Sequence, residues 1–178
     1  VVVTGLNDFK AALVMFRQSN YRVLHISCHG TRDAVNLSKE LIDYNTFADA
    51  TRDCLKSRRI FFSACELGNI QLAELLFKVN KGMHSFVASQ HPVEFKYASA
   101  FWVAFYTKYF EFQGKLTHQK MLEALSPLVQ YFGVQTISAA VDTKKQRLEF
   151  FDSDSRITAS ISFDKLYGKK RRPKISKR

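Results

Sequence analysis

Two residues with the right chemistry for nucleophilic catalysis end two apolar segments of the chain. His29 closes Tyr21-Arg-Val-Leu-His-Ile-Ser-Cys-His29 and is followed by Gly30, and Cys65 follows Arg59-Ile-Phe-Phe-Ser-Ala. A thiol beside an imidazole can exist as thiolate and imidazolium, which makes the sulfur a strong nucleophile. The histidine can then return a proton to a leaving amine. Gly30 and the turn at Cys65 can aim backbone N–H groups at an oxyanion, because glycine has no side chain in the way. Alone, a cysteine at a strand end is also an ordinary small core residue, so the pairing carries the argument.

The pairing requires that the two strands lie side by side and end together. Val23, Leu24 and Ile26 make residues 22–28 a nearly continuous apolar strand, as does Ile60-Phe-Phe in residues 59–63; such strands are covered on both faces. Helical periodicity predicts helices over 6–19 (N-cap Asn7), 46–56 (N-cap Asn45), 69–79, 93–112 (opened by Pro92) and 116–132 (N-cap Thr117, with Pro127 as a kink or break). Residues 31–44 are polar, a short hairpin or a structured loop. Strands follow at 83–89, 134–141, 147–151 and 156–163. Strand and helix alternate to about residue 133, which predicts an α/β fold with a mostly parallel sheet, helices on both faces and antiparallel strands at the C-terminal edge. In such sheets, reactive groups gather at the carboxyl ends of the strands.

With 178 residues, 46% apolar and 24% charged, the chain is long enough for one domain with a real core. We expect that domain over 1–167 and a basic, disordered tail over 168–178. The formal charge is +11; the tail carries seven Lys and Arg, and the remainder has twenty against sixteen acidic residues, a balance of +4. Nucleic acid is therefore expected only at the tail. The chain opens on Val1 rather than Met, which suggests a processed start or an excised region. No apolar run is long enough for a membrane span and no signal-peptide pattern opens the chain. With three cysteines, this points to free thiols in a reducing, cytoplasmic setting and to no membrane partner.

Together, His25-Ile-Ser-Cys-His29-Gly30 and Ser63-Ala-Cys65-Glu-Leu-Gly68 resemble the CHAT family of caspase-like cysteine peptidases. The likeness extends through Met83 to Val93, with Pro92-Val93 at its end, through Phe101 to Tyr106, and to Gly114 with the helix from Thr117. Leu67 takes the place of a small polar residue frequent before that glycine. The resemblance implies a caspase-like three-layer αβα sandwich and a thiol protease (hydrolase) acting on a protein through a thioester acyl-enzyme. It maps the catalytic dyad onto His29 and Cys65 and the oxyanion donors onto the N–H of Gly30 and Cys65. It sets Ser63 in the substrate pocket, with Ser89 and Gln90 assisting. No metal or other cofactor is expected: a His25, Cys28, His29 and Cys65 zinc set would need both faces of one strand. His25 reads as a packed, supporting residue, and His84, His91 and His118 as incidental. The alternative is a catalytically silent module that binds a regulatory partner or self-assembles, because the helix from Phe101 to Phe112 is aromatic on nearly all sides.

Overall fold

The computed structural model describes residues 1–112, 117–152 and 156–168. Gly114, the predicted helix start at Leu116 and the basic segment 169–178 lie outside the described residues.

The elements run in the order helix α1 (Leu6–Gln18), strands β1 (Val23–Ser27), β2 (His29–Gly30), β3 (Ala34–Asn36) and β4 (Leu41–Asp43), helix α2 (Tyr44–Ala50), strand β5 (Arg59–Ser63), helix α3 (Ile70–Val79) and strand β6 (Ser85–Ser89). Helices α4 (Phe95–Glu111) and α5 (His118–Phe132) follow, then β7 (Thr136–Asp142), β8 (Arg147–Phe151), β9 (Ile157–Ser162) and a short α6 (Phe163–Tyr167). The main sheet has the order β1-β5-β6-β7-β8-β9. β1, β5 and β6 are parallel, and β7, β8 and β9 add to the β6 edge antiparallel. This is the architecture expected from the alternation: a parallel unit that carries the strand ends of interest, with antiparallel strands at the C-terminal edge.

The sheet separates two apolar layers. Ile60 and Phe62 of β5 and Phe86 and Ala88 of β6 pack with residues of α1, α2, α3 and α6. Phe61 and Val87 face the other way, against Phe101, Trp102 and Phe105 of α4 and Met121 and Leu125 of α5. The period of two in a strand thus divides one continuous apolar run between two cores. Helix α4 is apolar on nearly all sides, yet only part of it is buried: Phe101, Trp102 and Phe105 point inward, while Val103 and Phe110 are exposed.

Local chemistry moves several helix ends from their expected places. The α1 N-cap is Gly5 rather than Asn7, and the first turn is satisfied from outside: Leu6 N–H donates to Glu40 Oε2 at 2.7 Å. At the other end, the Arg58 guanidinium donates to the carbonyls of Phe16, Arg17 and Ser19. Helix α2 starts at Tyr44 because Asp43, not Asn45, is its cap, accepting from the N–H groups of Asn45 and Thr46. It stops at Ala50, and the expected second half becomes turns with left-handed backbone at Asp53 and Ser57. Thr117 caps α5 as expected, and Asn69, the first residue of the expected helix 69–79, is the cap of α3. Pro127 lies inside an unbroken α5, which ends at Gly133 in the left-handed region (φ 66°).

The polar stretch 31–44 is a three-stranded antiparallel sheet of its own, in the order β2-β3-β4. It begins with His29 and Gly30, paired with Asn36 and Val35. The histidine therefore stands just beyond the main sheet, on a small flap joined to the end of β1.

Candidate active site

β1 and β5 are adjacent and in register from Val23 with Arg59 to Ser27 with Ser63. Cys28 N–H donates to the Ser63 carbonyl at 3.3 Å, which extends the pairing to the edge where both chains leave the sheet. His29 and Cys65 follow immediately. Both line one cavity of about 370 Å³, together with Cys28, Ser63 and Ser89.

The two loops are held against each other at several points. A methyl group on Gly30 would strike the Cys65 carbonyl oxygen and lie 2.5 Å from Leu67 Cγ. The glycine after the histidine is thus needed for close approach, and Leu67, fully buried in the core, is the surface it approaches. Glu66, next to the cysteine, has left-handed backbone (φ 57°), an uncommon state for a residue with a side chain. Its carboxylate pairs with Arg32 of the flap at 3.2 Å. A partly buried chain of hydrogen bonds reinforces this link. Tyr44 Oη donates to the Thr31 carbonyl at 2.7 Å, and Asn69 Nδ2 donates to Tyr44 Oη at 2.8 Å and to the Glu66 carbonyl at 3.2 Å. Gly68 seals the other side: its N–H donates to the Ser89 carbonyl at 2.6 Å, and a side chain there would strike β6.

The Cys65 thiol meets the loop between β6 and α4. Val93 N–H donates to Sγ at 3.4 Å, and the thiol reaches the Val93 carbonyl at 3.8 Å. Helix α4 starts at Phe95 rather than at Val93, and this delay leaves Val93 free of the helix and over the sulfur. Cys28 is different. Burial, with a contribution from Cys65, pushes its thiol up to about 12, so it stays protonated at neutral pH. The three cysteines are free.

The pocket beyond the sulfur continues under α4. Ser63 and Ser89 are in its wall, as are Trp102, Val134 and Thr136. Gln90 is not among the lining residues; its N–H pairs with the Gln135 carbonyl and prolongs the β6–β7 ladder. His25 is packed behind Trp102, ring edge to face with centroids 4.7 Å apart, and its Nδ1 bonds Tyr106 Oη at 2.7 Å. Burial lowers the His25 pKa to about 4, which keeps the ring neutral. His118 is far along the chain's other elements, on α5, with its ring against Phe151 of β8. No group of three metal-binding side chains occurs among the described residues.

Sequence reading missed Tyr44, Asn69 and the Val93 backbone. Asn69 was visible as a helix cap, but nothing in the sequence connects it to a tyrosine 25 positions earlier.

The sequence matches the CHAT domain over residues 4–127. The chain belongs to that family. CHAT is a caspase-like domain family, and both glycines that follow its two motifs here, Gly30 and Gly68, stand at the close backbone contacts just described. A comparison with curated proteins finds no match. The match ends inside α5, so β7, β8 and β9 of this CHAT domain, with the pocket residues Val134 and Thr136, lie beyond it.

Proposed function

We propose that this CHAT domain is a cysteine endopeptidase that cleaves a protein substrate. The single observation that carries the reading is the shared cavity of His29 and Cys65 at the carboxyl end of two parallel strands. Cys65 Sγ attacks the scissile carbonyl carbon while its proton passes to His29. The N–H groups of Gly30 and Cys65 take the oxyanion. The C–N bond breaks, His29 protonates the leaving amine, and water then hydrolyses the thioester on Cys65. Apo hydrogen bonds at such sites commonly tighten only with substrate bound. The Cys65–Val93 contact is in this reading a resting arrangement that substrate displaces.

The chemistry needs free thiols, which suits a reducing, cytoplasmic setting. Among the described residues no helix is long and apolar enough to cross a membrane. A regulatory protein partner could act by shifting the Val93 backbone away from the Cys65 thiol. Any contact with nucleic acid is assigned to the basic segment 169–178 and would weaken steeply with salt.

The test is covalent labelling with a peptide acyloxymethyl ketone, read by mass spectrometry. Label should appear on Cys65, be absent from Cys65→Ala, and fall strongly in His29→Ala. Cys28 should remain unlabelled at neutral pH. Equal labelling of wild type and Cys65→Ala rejects the mechanism. One observation favours a second reading, a silent binding module: the thiol's hydrogen-bond partner is the Val93 backbone and not His29. A folded protein whose Cys65 takes no peptide probe selects that reading.

A further inference from the structure

We infer that the pocket beside Cys65 selects an uncharged, mainly apolar side chain at the position preceding the cut. This inference rests on the peptidase reading and names its substrate class.

The wall is the starting point. Trp102 and Ala98 of α4, Val134 before β7, and Val93 and Phe95 of the β6–α4 junction supply apolar surface. One hydroxyl of the wall is committed elsewhere. Ser89 Oγ donates to the His91 and Gln135 carbonyls at 2.9 and 3.3 Å. No aspartate, glutamate, lysine or arginine lines the cavity among the described residues.

Four charges close in sequence to the lining residues form two ion pairs. Glu94 and Lys96, on either side of Phe95, pair with each other at 2.9 Å. Glu66, next to Cys65, pairs with Arg32. Behind Trp102 the His25 ring bonds a tyrosine hydroxyl rather than an acid. Arg59 is on the same strand as Ser63, but at the strand's opposite end, where it lines a different cavity. An aspartate, glutamate, lysine or arginine in this pocket would lose water and gain no partner, a costly exchange. An apolar side chain would instead gain from leaving water. The cavity of about 370 Å³ also holds the reacting groups, which leaves space for a side chain of leucine or methionine size.

Two of the determining residues, Val134 and Thr136, come from beyond the segment matched by the family. The preference is therefore set in part by residues outside that segment.

The experiment uses the full chain and acyloxymethyl ketone tripeptides that differ only at the residue next to the warhead: leucine, methionine, aspartate or lysine. The expected result is Cys65 labelling by the leucine and methionine probes roughly a hundredfold faster than by the charged ones. Ala98→Arg, at a half-exposed helix position, should raise the rate with the aspartate probe and lower that with leucine, with the unfolding midpoint checked in parallel. Faster labelling of wild type by the aspartate or lysine probe overturns the inference and leaves the peptidase reading intact. Labelling by none of the four probes, in a protein shown to be folded, overturns both.

Discussion

Gly30 is the residue at which backbone geometry and chemistry meet. A methyl group there would collide with the Cys65 carbonyl and with Leu67, and the carbonyl belongs to the backbone, which has little room to give. Gly30→Ala should cost about 1–3 kcal/mol, the usual range for overpacking, and should slow Cys65 labelling by more than the stability loss alone explains. Urea denaturation and the labelling rate, measured on the same sample, separate the two effects. An alanine variant with unchanged stability would show that the loops are not pressed together. The motif glycine was legible in the sequence because His29-Gly30 and Cys65-Glu-Leu-Gly68 together resemble the CHAT motifs. Its reason was not, since Leu67 reads in one dimension as a departure from pattern and in three as the surface that Gly30 packs upon.

At the scale of elements, the strands were the most legible part. β5 runs from Arg59 to Ser63 as its apolar residues indicate, and β1 differs from expectation only at its ends. Helix starts were harder, because the groups that fix them are contributed by other elements: Glu40 reaches α1, and Asp43 takes the cap of α2 from Asn45. The polarity of residues 31–44 does not separate the flap β2-β3-β4 from a loop, and the pattern of residues 156–163 continues as strand to the point where α6 begins. The tie between α2 and α3 was invisible for the same reason. Tyr44 starts one helix, Asn69 caps the other, and between them they join the Thr31 and Glu66 carbonyls. Tyr44→Phe keeps the buried ring and removes the hydroxyl, so it should cost about 1–2 kcal/mol. Its sharper signature is kinetic: slower labelling of Cys65 well below the unfolding temperature, with the leucine probe's apparent affinity little changed. A labelling rate equal to wild type would reduce the tie to packing.

The whole molecule carries two imidazoles that are neutral because they are buried. Desolvation lowers His25 and His118 from 6.5 to about 4, with the Arg59 charge adding to the effect at His118. Among the described residues, both ring nitrogens of His118 and the hydroxyls of Ser85 and Ser138 have no hydrogen-bond partner. Below the unfolded value the unfolded chain takes up protons that the folded chain refuses. Stability is thus full above about pH 6.5 and falls as pH drops toward 4, by at most about 1.4 kcal/mol per pH unit for each ring. Asp8, Asp43 and Asp142 are shifted the other way, below 3.8, by hydrogen bonds that favour the carboxylate, so their loss comes only in stronger acid. A urea midpoint that declines between pH 7 and 5 is the expected outcome; a flat one over that interval contradicts the buried neutral rings.

The sheet that changes from parallel to antiparallel at β6 also sets an order of assembly. β7 and β8 are joined by a four-residue turn, 143–146, and can pair as soon as the chain doubles back. β1 and β5 pair residues 36 positions apart, such as Val23 with Arg59, and must first close a long loop. The C-terminal meander is thus the natural early partner in folding; the β1–β5 pair that brings His29 to Cys65 and the still longer closure of β6 on β7, Ser85 with Ala140, come later. A chain that has folded only halfway would therefore be compact while His29 and Cys65 are still apart.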